Sequence, residues 1–507
     1  YITTPIFYVN SVPHIGHLYT TVVADTLARW YRFRGHQVRF ATGTDEHGLK
    51  IQQAATNANL PPQEFCDGIS LQFRSLFDRA NISYTDYIRT TEPRHHKAVQ
   101  SMWQTLNERN LLRKSTYSGY YSVSDEAFVP QTDVIPGRKP GTLVARDSGQ
   151  PVEHTSEDTY VFGLDQWKSG ISAALDNGAM RVVPSLRERD VRAFLAASDL
   201  ADLSVSRPSA RVGWGIPVPN DASQTVYVWL DALTNYLTIL GYPNAEAEVG
   251  EWWSSPDTDV VHVIGKEIAK FHAVYWPAFL LAAGIPLPGE ILTHAHWTVN
   301  KTKMSKSIGN VVDPNAVMDR FGVDPVRFYL MLNGGVENDG DWSEDTMAKL
   351  YRKELAGQIG NLFSRATSDA LVTRSGGGMH ATVPLSSLVT GTGPAQTLHS
   401  MLAALPASFD AHMSTREFNK AIMAVVHTVA AANRYFADQA PWSADARPEV
   451  VRETMAHALE TLRVTGLLMQ CVMPDKMTDL LDRVGQPAGE RGWYASRMGS
   501  CAQLGTP

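Results

Sequence analysis

The first nine residues form an apolar, β-branched run, and beyond Pro13 the hydrophobic period changes. Leu18, Val22, Val23, Leu27, Trp30 and Tyr31 recur at helical spacing until Gly35 interrupts them. This predicts a strand, a turn over Asn10 and Ser11, and a helix opening at Pro13 and His14. Residues 38–42 read as a second short strand. Residues 43–48 read as a polar loop that opens another helix, and 62–80 and 93–109 as helices. Strands alternating with helices imply a parallel sheet whose ligands lie outside the carboxyl ends of the strands. From about residue 111 the texture is mixed. Residues 117–123 and 159–162 look extended, turn residues crowd 136–151, and a helical stretch runs to about 201. Buried runs at 226–232, 260–264 and 291–298 restore the α/β pattern and read as strands. From about residue 345 only helical periodicity remains, over 347–372, 395–412, 416–439 and 450–468, which predicts an α-bundle.

Composition narrows the class. A chain of 507 residues with 44% hydrophobic and 19% charged residues can bury several cores. Its formal charge of −7 means that any nucleic acid must be met by local basic surfaces. Cys66, Cys471 and Cys501 lie far apart with no CxxC pair, which argues against a disulfide framework or a cysteine zinc site and fits a reducing compartment. No run of ~18 apolar residues and no basic-then-apolar leader is present. A cytoplasmic protein that does not span a membrane is therefore expected.

Two stretches carry the candidate chemistry. Pro13-His14-Ile15-Gly16-His17 places two imidazoles at a helix N-terminus, where unpaired backbone N–H groups and the helix dipole favour an anion. Gly16 lets a ligand approach the backbone. Lys303-Met304-Ser305-Lys306-Ser307 puts positive charge on a loop, with Gly309 and Asn310 as its downstream hinge. Each stretch alone has an ordinary explanation: paired histidines pack, and basic loops are solvated. Asp45 suits a substrate ammonium or a helix N-cap, with Glu46 able to serve the helix end. Glu267, after a turn at Gly265, suits a ribose hydroxyl or simply a helix N-terminus. Tyr8, Trp229, Tyr236, Phe271 and Trp276 cluster near strand ends with Ile6, Ile268 and His272, as a thioether pocket or as plain core. Trp442, after Gln439-Ala440-Pro441, is either a stacking platform at a helix end or a core residue.

Taken together the two loops resemble the HIGH and KMSKS signatures of class I aminoacyl-tRNA synthetases. With Pro5-Ile6-Phe7-Tyr8-Val9-Asn10, Thr42 through Gly48, Tyr227-Val228-Trp229-Leu230-Asp231-Ala232, and Ile264 through His272, the chain resembles the methionyl-tRNA synthetases along essentially its whole length. The resemblance implies a Rossmann-type parallel-sheet catalytic domain with an inserted connective domain, followed by an all-α anticodon-binding bundle. Residues 1–110 and 221–290 would be the catalytic halves, 111–220 the insertion, 291–345 the region contacting the tRNA stem, and 346–507 the bundle. It implies methionine–tRNA ligation with ATP and Mg²⁺, on initiator and elongator tRNAs.

By the same resemblance Ile6, Tyr8, Trp229, Ala232, Tyr236, Ile268, Phe271 and His272 would line the methionine pocket, and Asp45 would hold the amino group. Gly265, Glu267 and the backbone near Trp297 would hold adenosine. His14, Gly16, His17, Lys303 and Lys306 would serve the phosphates, with His14, His17, Lys303 and Lys306 catalytic. Asn361, Arg365 and Trp442 would meet the anticodon. The relatives' zinc knuckle has no cysteines here, so a metal-free insertion is expected. No appended C-terminal barrel follows the bundle, so a monomer is expected. The rival readings are a synthetase of the same class for another apolar amino acid and a catalytically silent tRNA-binding paralogue.

Overall fold

The computed structural model describes all residues except 123–126, 130, 138, 140, 147–148, 197–199, 305–308, 376–381, 385–393, 501–502 and 506–507. The chain folds as two bodies. The first takes residues 1–13, 39–78 and 84–294, and the second takes 14–38, 79–83 and 295–507.

The first body is built on a six-stranded parallel sheet. Its spatial order is Asp86–Arg89, Phe40–Asp45, Ile2–Tyr8, Val261–Gly265, Glu290–His294 and Arg181–Val183. From the pair formed by Ile2–Tyr8 and Val261–Gly265 the chain runs outward through Phe40–Asp45 to Asp86–Arg89 on one side and to Glu290–His294 on the other, where the earlier strand Arg181–Val183 forms the edge. That pair is the switch point where an open α/β sheet leaves a crevice at its carboxyl ends. Tyr8 lies opposite Asp45 in register, and Val9 N–H donates to the Asp45 carbonyl at 3.1 Å. Trp103, Phe162, Leu230, Ile264, Trp276 and Phe279 are buried in the core of this body. A four-stranded antiparallel sheet, led by Leu112–Ser122 against Glu153–Phe162, completes it together with a three-stranded sheet around Asp221–Val226.

Several elements differ from the sequence reading. The run 226–232 is the end of a strand followed by the helix Val228–Thr238. Hydrophobic runs of this length do not separate a buried strand from a buried helix. The apolar stretch 291–298 divides into Glu290–His294, in the parallel sheet, and Trp297–Val299, in a three-stranded sheet of the second body. The stretch read as helical up to 201 contains the helices Lys168–Asp176 and Ser185–Leu195, with the strand Arg181–Val183 between them at the sheet edge. Beyond residue 345, Thr382–Pro384 pairs with Gln503–Gly505, a ladder too short to leave a period.

The second body opens with the helix Ile15–Phe33 and contains the helical bundle, including Phe418–Gln439 and Pro448–Met469. Arg327, in the helix Val323–Asn333, is its buried tie. Its Nη2 donates to Asp25 Oδ2 at 2.6 Å and its Nε to the Val472 carbonyl at 2.8 Å. Burial alone would raise the Asp25 carboxyl. Arg327, Arg29 and hydrogen bonds from Ser83 outweigh it and hold the carboxyl below its usual range.

Candidate active site

In the first body the aromatic residues separate into two groups. Trp229 lies flat on Phe271, with centroids 3.6 Å apart and planes 11° apart. Both are half-buried, as are Ile6, Tyr8 and Ile268, so these side chains line a partly open surface. The second group is closed. Tyr236 and His272 are buried, with Tyr236 Oη 2.7 Å from His272 Nε2 and His272 Nδ1 3.0 Å from the Ile268 carbonyl. A carbonyl only accepts, so Nδ1 carries the proton and Nε2 accepts from the Tyr236 hydroxyl. Burial pushes the His272 imidazole down to about 4 and the Tyr236 phenol up, so both groups stay neutral at neutral pH. A neutral polar pair beside half-open aromatic faces suits an uncharged, polarisable side chain. Residues Phe271–Tyr275 take a wide π turn, which sets both Phe271 and His272 on this wall. Ala232 is buried one turn before Tyr236.

Asp45 ends its strand and is only 8% exposed. It does not cap the following helix: Leu49–Asn57 starts at Gly48, whose φ of +111° favours glycine, with no side-chain cap. Glu46 does not serve that helix end either. It is fully buried, and its carboxylate accepts from Arg89 Nε at 2.7 Å, Thr44 at 2.7 Å and Thr91 at 2.6 Å. Gly265 closes the strand at the switch point, and Glu267 is exposed in the short turn Lys266–Ile268 that follows.

The sequence reading assigned no role to the hub behind this wall. Asp231, fully buried in the first turn of Val228–Thr238, accepts from His47 Nδ1 at 2.7 Å and His95 Nε2 at 2.8 Å. Burial opposes its charge, but the two imidazoles hold the carboxyl well below its usual range. Asp231 and His47 stand inside quoted motif stretches, which was the only signal available for them.

In the second body His14 is the N-cap of Ile15–Phe33. Its Nδ1 accepts from Gly16 N–H at 3.1 Å, while His17 Nδ1 accepts from His14 N–H at 3.1 Å, and the rings stack 3.8 Å apart. This is a capping box made of imidazoles. A Cβ on residue 16 would meet His14 Cε1 at 2.9 Å, so glycine admits the ring. The Ile15 N–H reaches the Val312 carbonyl, and the His17 and Leu18 N–H groups reach the His14 carbonyl. The expected unpaired backbone donors are therefore already occupied. With each Nδ1 accepting, the remaining proton of each ring sits on Nε2.

Trp297 is buried against Tyr329, Tyr19 and Trp342. Lys303 is exposed on Thr302–Lys303, which pairs with Trp297–Val299 across a turn where Asn300 and Lys301 both have positive φ. Its carbonyl accepts from Asn310 Nδ2 at 3.2 Å, and Gly309 has φ +72°. Lys306 lies outside the described residues.

In the bundle Asn361 donates to Asn433 Oδ1 at 2.9 Å, and Arg365 is half-buried on the same short helix. Trp442 is 53% exposed, lies against Phe436 with planes 27° apart, and follows a turn in which Arg374 Nη1 donates to the Pro441 carbonyl. It is a presented indole, and its alternative reading as core does not hold. Trp442→Ala is expected to lower aminoacylation at least tenfold, since base stacking contributes ~1–3 kcal/mol, while adenylate formation stays normal. Parallel charging and pyrophosphate-exchange assays check this; loss of both activities would make the residue structural.

A family model described as tRNA synthetases class I (M) matches residues 1–367, and one described as the anticodon binding domain of methionyl tRNA ligase matches 389–505. The mitochondrial methionine–tRNA ligase of Homo sapiens is 45% identical over 508 residues, covering 97% of this chain and 84% of that protein. The methionine–tRNA ligase of Rickettsia felis is 40% identical over 513 residues, covering 99% and 96%. The solved structure of Mycobacterium tuberculosis methionyl-tRNA synthetase in complex with methionyl-adenylate superposes with a TM-score of 0.91 at 35% identity, covering 100% of this chain and 97% of that one. The switch-point sheet, the imidazole-capped helix and these matches define a class I aminoacyl-tRNA synthetase. Within that class the chain belongs to the methionyl-tRNA synthetase family, and its activity is methionine–tRNA ligation with ATP.

The expected cytoplasmic location does not survive. The relatives from Homo sapiens, Bos taurus, Dictyostelium discoideum and Neurospora crassa are named as mitochondrial enzymes, and that from Rickettsia felis is bacterial. Scattered free cysteines speak only to a reducing environment, and that does not separate the two compartments.

Proposed function

We propose the following division of labour for methionine activation and transfer. In the first body, the stacked Trp229 and Phe271, with Ile6, Tyr8, Ala232 and Ile268, hold the methionine side chain beside the neutral Tyr236–His272 pair, and Asp45 takes the ammonium. Gly265 and Glu267 hold the adenosine. In the second body, His14 and His17 donate Nε2–H to phosphate oxygens, Lys303 and Lys306 add positive charge, and the backbone at Trp297 contributes to adenosine binding. The barrier in carboxylate attack on the α-phosphate is mainly accumulating negative charge, so fixed donors and cations lower it. Asn361, Arg365 and Trp442 read the anticodon of initiator and elongator tRNAs, and the chain acts as a monomer.

The tautomer-locked Tyr236–His272 pair carries the methionine reading, because it offers the pocket no charge and no unsatisfied donor. Among the described residues no group of three or more His, Cys, Asp or Glu side chains is placed to hold a metal ion. Mg²⁺ accompanies ATP, held chiefly by its phosphate oxygens. Amino-acid-dependent exchange of labelled pyrophosphate into ATP, run with all twenty amino acids and no tRNA, tests the reading. Exchange is expected with methionine far above the rest. Stronger exchange with another apolar amino acid would discard the pocket assignment while keeping the class.

A further inference from the structure

Asp45 ends a parallel strand, and a short loop, residues 46–48, leads from it to the helix Leu49–Asn57. A carboxylate at such a place holds an ammonium well only if the chain behind it is fixed, because a charge-assisted hydrogen bond depends on direction as well as distance. The structure fixes this loop residue by residue. The Asp45 carbonyl accepts from Val9 N–H, and Glu46 N–H donates to Thr90 Oγ1 at 2.9 Å. The Glu46 carboxylate is held by Arg89, and the His47 ring by Asp231. There remain the Glu46 carbonyl and the Gly48 N–H, on either side of His47. One residue takes both. Trp214 Nε1 donates to the Glu46 carbonyl at 2.5 Å, and the Trp214 carbonyl accepts from Gly48 N–H at 3.0 Å. The Cys66 thiol, a weak donor, adds only a contact at 3.6 Å to the same Glu46 carbonyl.

Trp214 comes from a distant part of the chain. It stands 168 residues after Glu46, in the loop between the strands Ser206–Pro208 and Pro217–Val218. Its neighbour Gly213 donates its N–H to Gln52 Oε1 at 3.2 Å. The indole meets the His47 ring edge-on, with centroids 5.8 Å apart and planes 70° apart. Residues 213 and 214 thus form a strap over the segment that follows Asp45, tied at residues 46, 48 and 52. The strap differs in kind from the other supports. Glu46 and Asp231 are buried carboxylates, and removing either leaves buried donors unsatisfied. The indole is neutral and half-buried, so its N–H can be removed while a ring is kept.

We propose that Trp214 is a positioning residue for the methionine ammonium, its indole N–H and its carbonyl clasping the loop behind Asp45 and holding that carboxylate on the amino group. The proposal rests on the reading of Asp45 given above. An anchor that holds the amino group equally in the ground and transition states acts on KM alone. The test is methionine-dependent pyrophosphate exchange by Trp214→Phe. The KM for methionine is expected to rise about tenfold, with kcat and the KM for ATP within about twofold of the unaltered protein. Two competitive inhibitors separate positioning from general damage. Methioninol keeps the amine and lacks the carboxylate; the desamino acid of methionine does the reverse. Trp214→Phe is expected to weaken methioninol by about the same factor as methionine and to leave the desamino acid unchanged. A methionine KM that does not rise overturns the proposal, as does a lowered kcat or an equal weakening of both inhibitors. If Trp214→Phe does not fold, Gln52→Leu, which releases the other end of the strap, decides: the same pattern is expected at about threefold, and an unchanged methionine KM overturns the proposal. Asp45→Asn tests the parent reading. If it leaves the methionine KM unchanged, that reading falls and the proposal with it. A KM raised by Asp45→Asn but not by Trp214→Phe defeats the proposal alone.

Discussion

Asp231→Ala is expected to destabilise the first body by about 3–5 kcal/mol, read as a lowered midpoint in urea unfolding, because it leaves two buried donors unsatisfied at ~1–3 kcal/mol each and opens a cavity. Two imidazoles donate to this one carboxylate, from residues 47 and 95, and all three side chains are buried. The side chain sits in the first turn of a helix, where the dipole also favours a negative charge. Removing it leaves two buried N–H groups unsatisfied and a cavity between the helices Pro93–Glu108 and Val228–Thr238. Asp231→Asn keeps the volume and one acceptor but turns an N–H toward one imidazole, which must then change tautomer; its loss should be smaller, about 1–3 kcal/mol.

The pH dependence of the wild-type protein follows from the lowered carboxyl. A depressed folded pKa means that the contribution is fully present above the unfolded value of about 3.9 and is lost only as pH falls through the lower folded value. The difference between wild type and Asp231→Ala should therefore persist from about pH 5 upward. A loss below about 1 kcal/mol at neutral pH would show that the hub is not a support for His47 and its loop.

How much of this was readable from the chain depends on whether the information was local. The helices Pro62–Arg79 and Pro93–Glu108 and the first strand were legible because their apolar period is long and their ends carry proline or a change of period. The run 226–232 failed because six apolar residues around Asp231 carry no period that separates strand from helix. Arg181–Val183 failed because a three-residue edge strand is defined by its partner, Glu290–Leu292, more than a hundred residues away. Tyr236 and His272 could be placed together from motif resemblance, but not their proton: that depends on the Ile268 carbonyl, which the helical register brings to Nδ1. Asp231 stood in plain view between Leu230 and Ala232 and gained meaning only when His95, 136 residues earlier, arrived beside it. The helix at His14 was read correctly as an element and incorrectly as a set of open backbone donors, since a side chain's ability to cap its own helix turns on ring orientation, which spacing does not encode.

That last point sets the sharpest test of the catalytic motif. In the structure each Nδ1 accepts a helix-cap hydrogen bond, which leaves the ring proton on Nε2, the atom proposed above to donate to phosphate. His17→Asn separates the two roles, because the amide of asparagine reaches about as far as Nδ1 and can still accept from His14 N–H, while nothing replaces Nε2–H. Loss of a cap costs about 1 kcal/mol, so a chain that keeps the cap should melt within a few degrees of wild type. Loss of one donor to accumulating charge costs about 10²–10³ in rate, so methionine-dependent pyrophosphate exchange should fall by that factor with the KM for methionine little changed. His17→Gln makes the reverse exchange: its amide reaches toward the Nε2 position and abandons the cap, so it should retain more activity than the asparagine variant and melt earlier. If His17→Asn exchanges pyrophosphate at nearly the wild-type rate, the pair is a capping device, and the burden of phosphate recognition passes to the lysines.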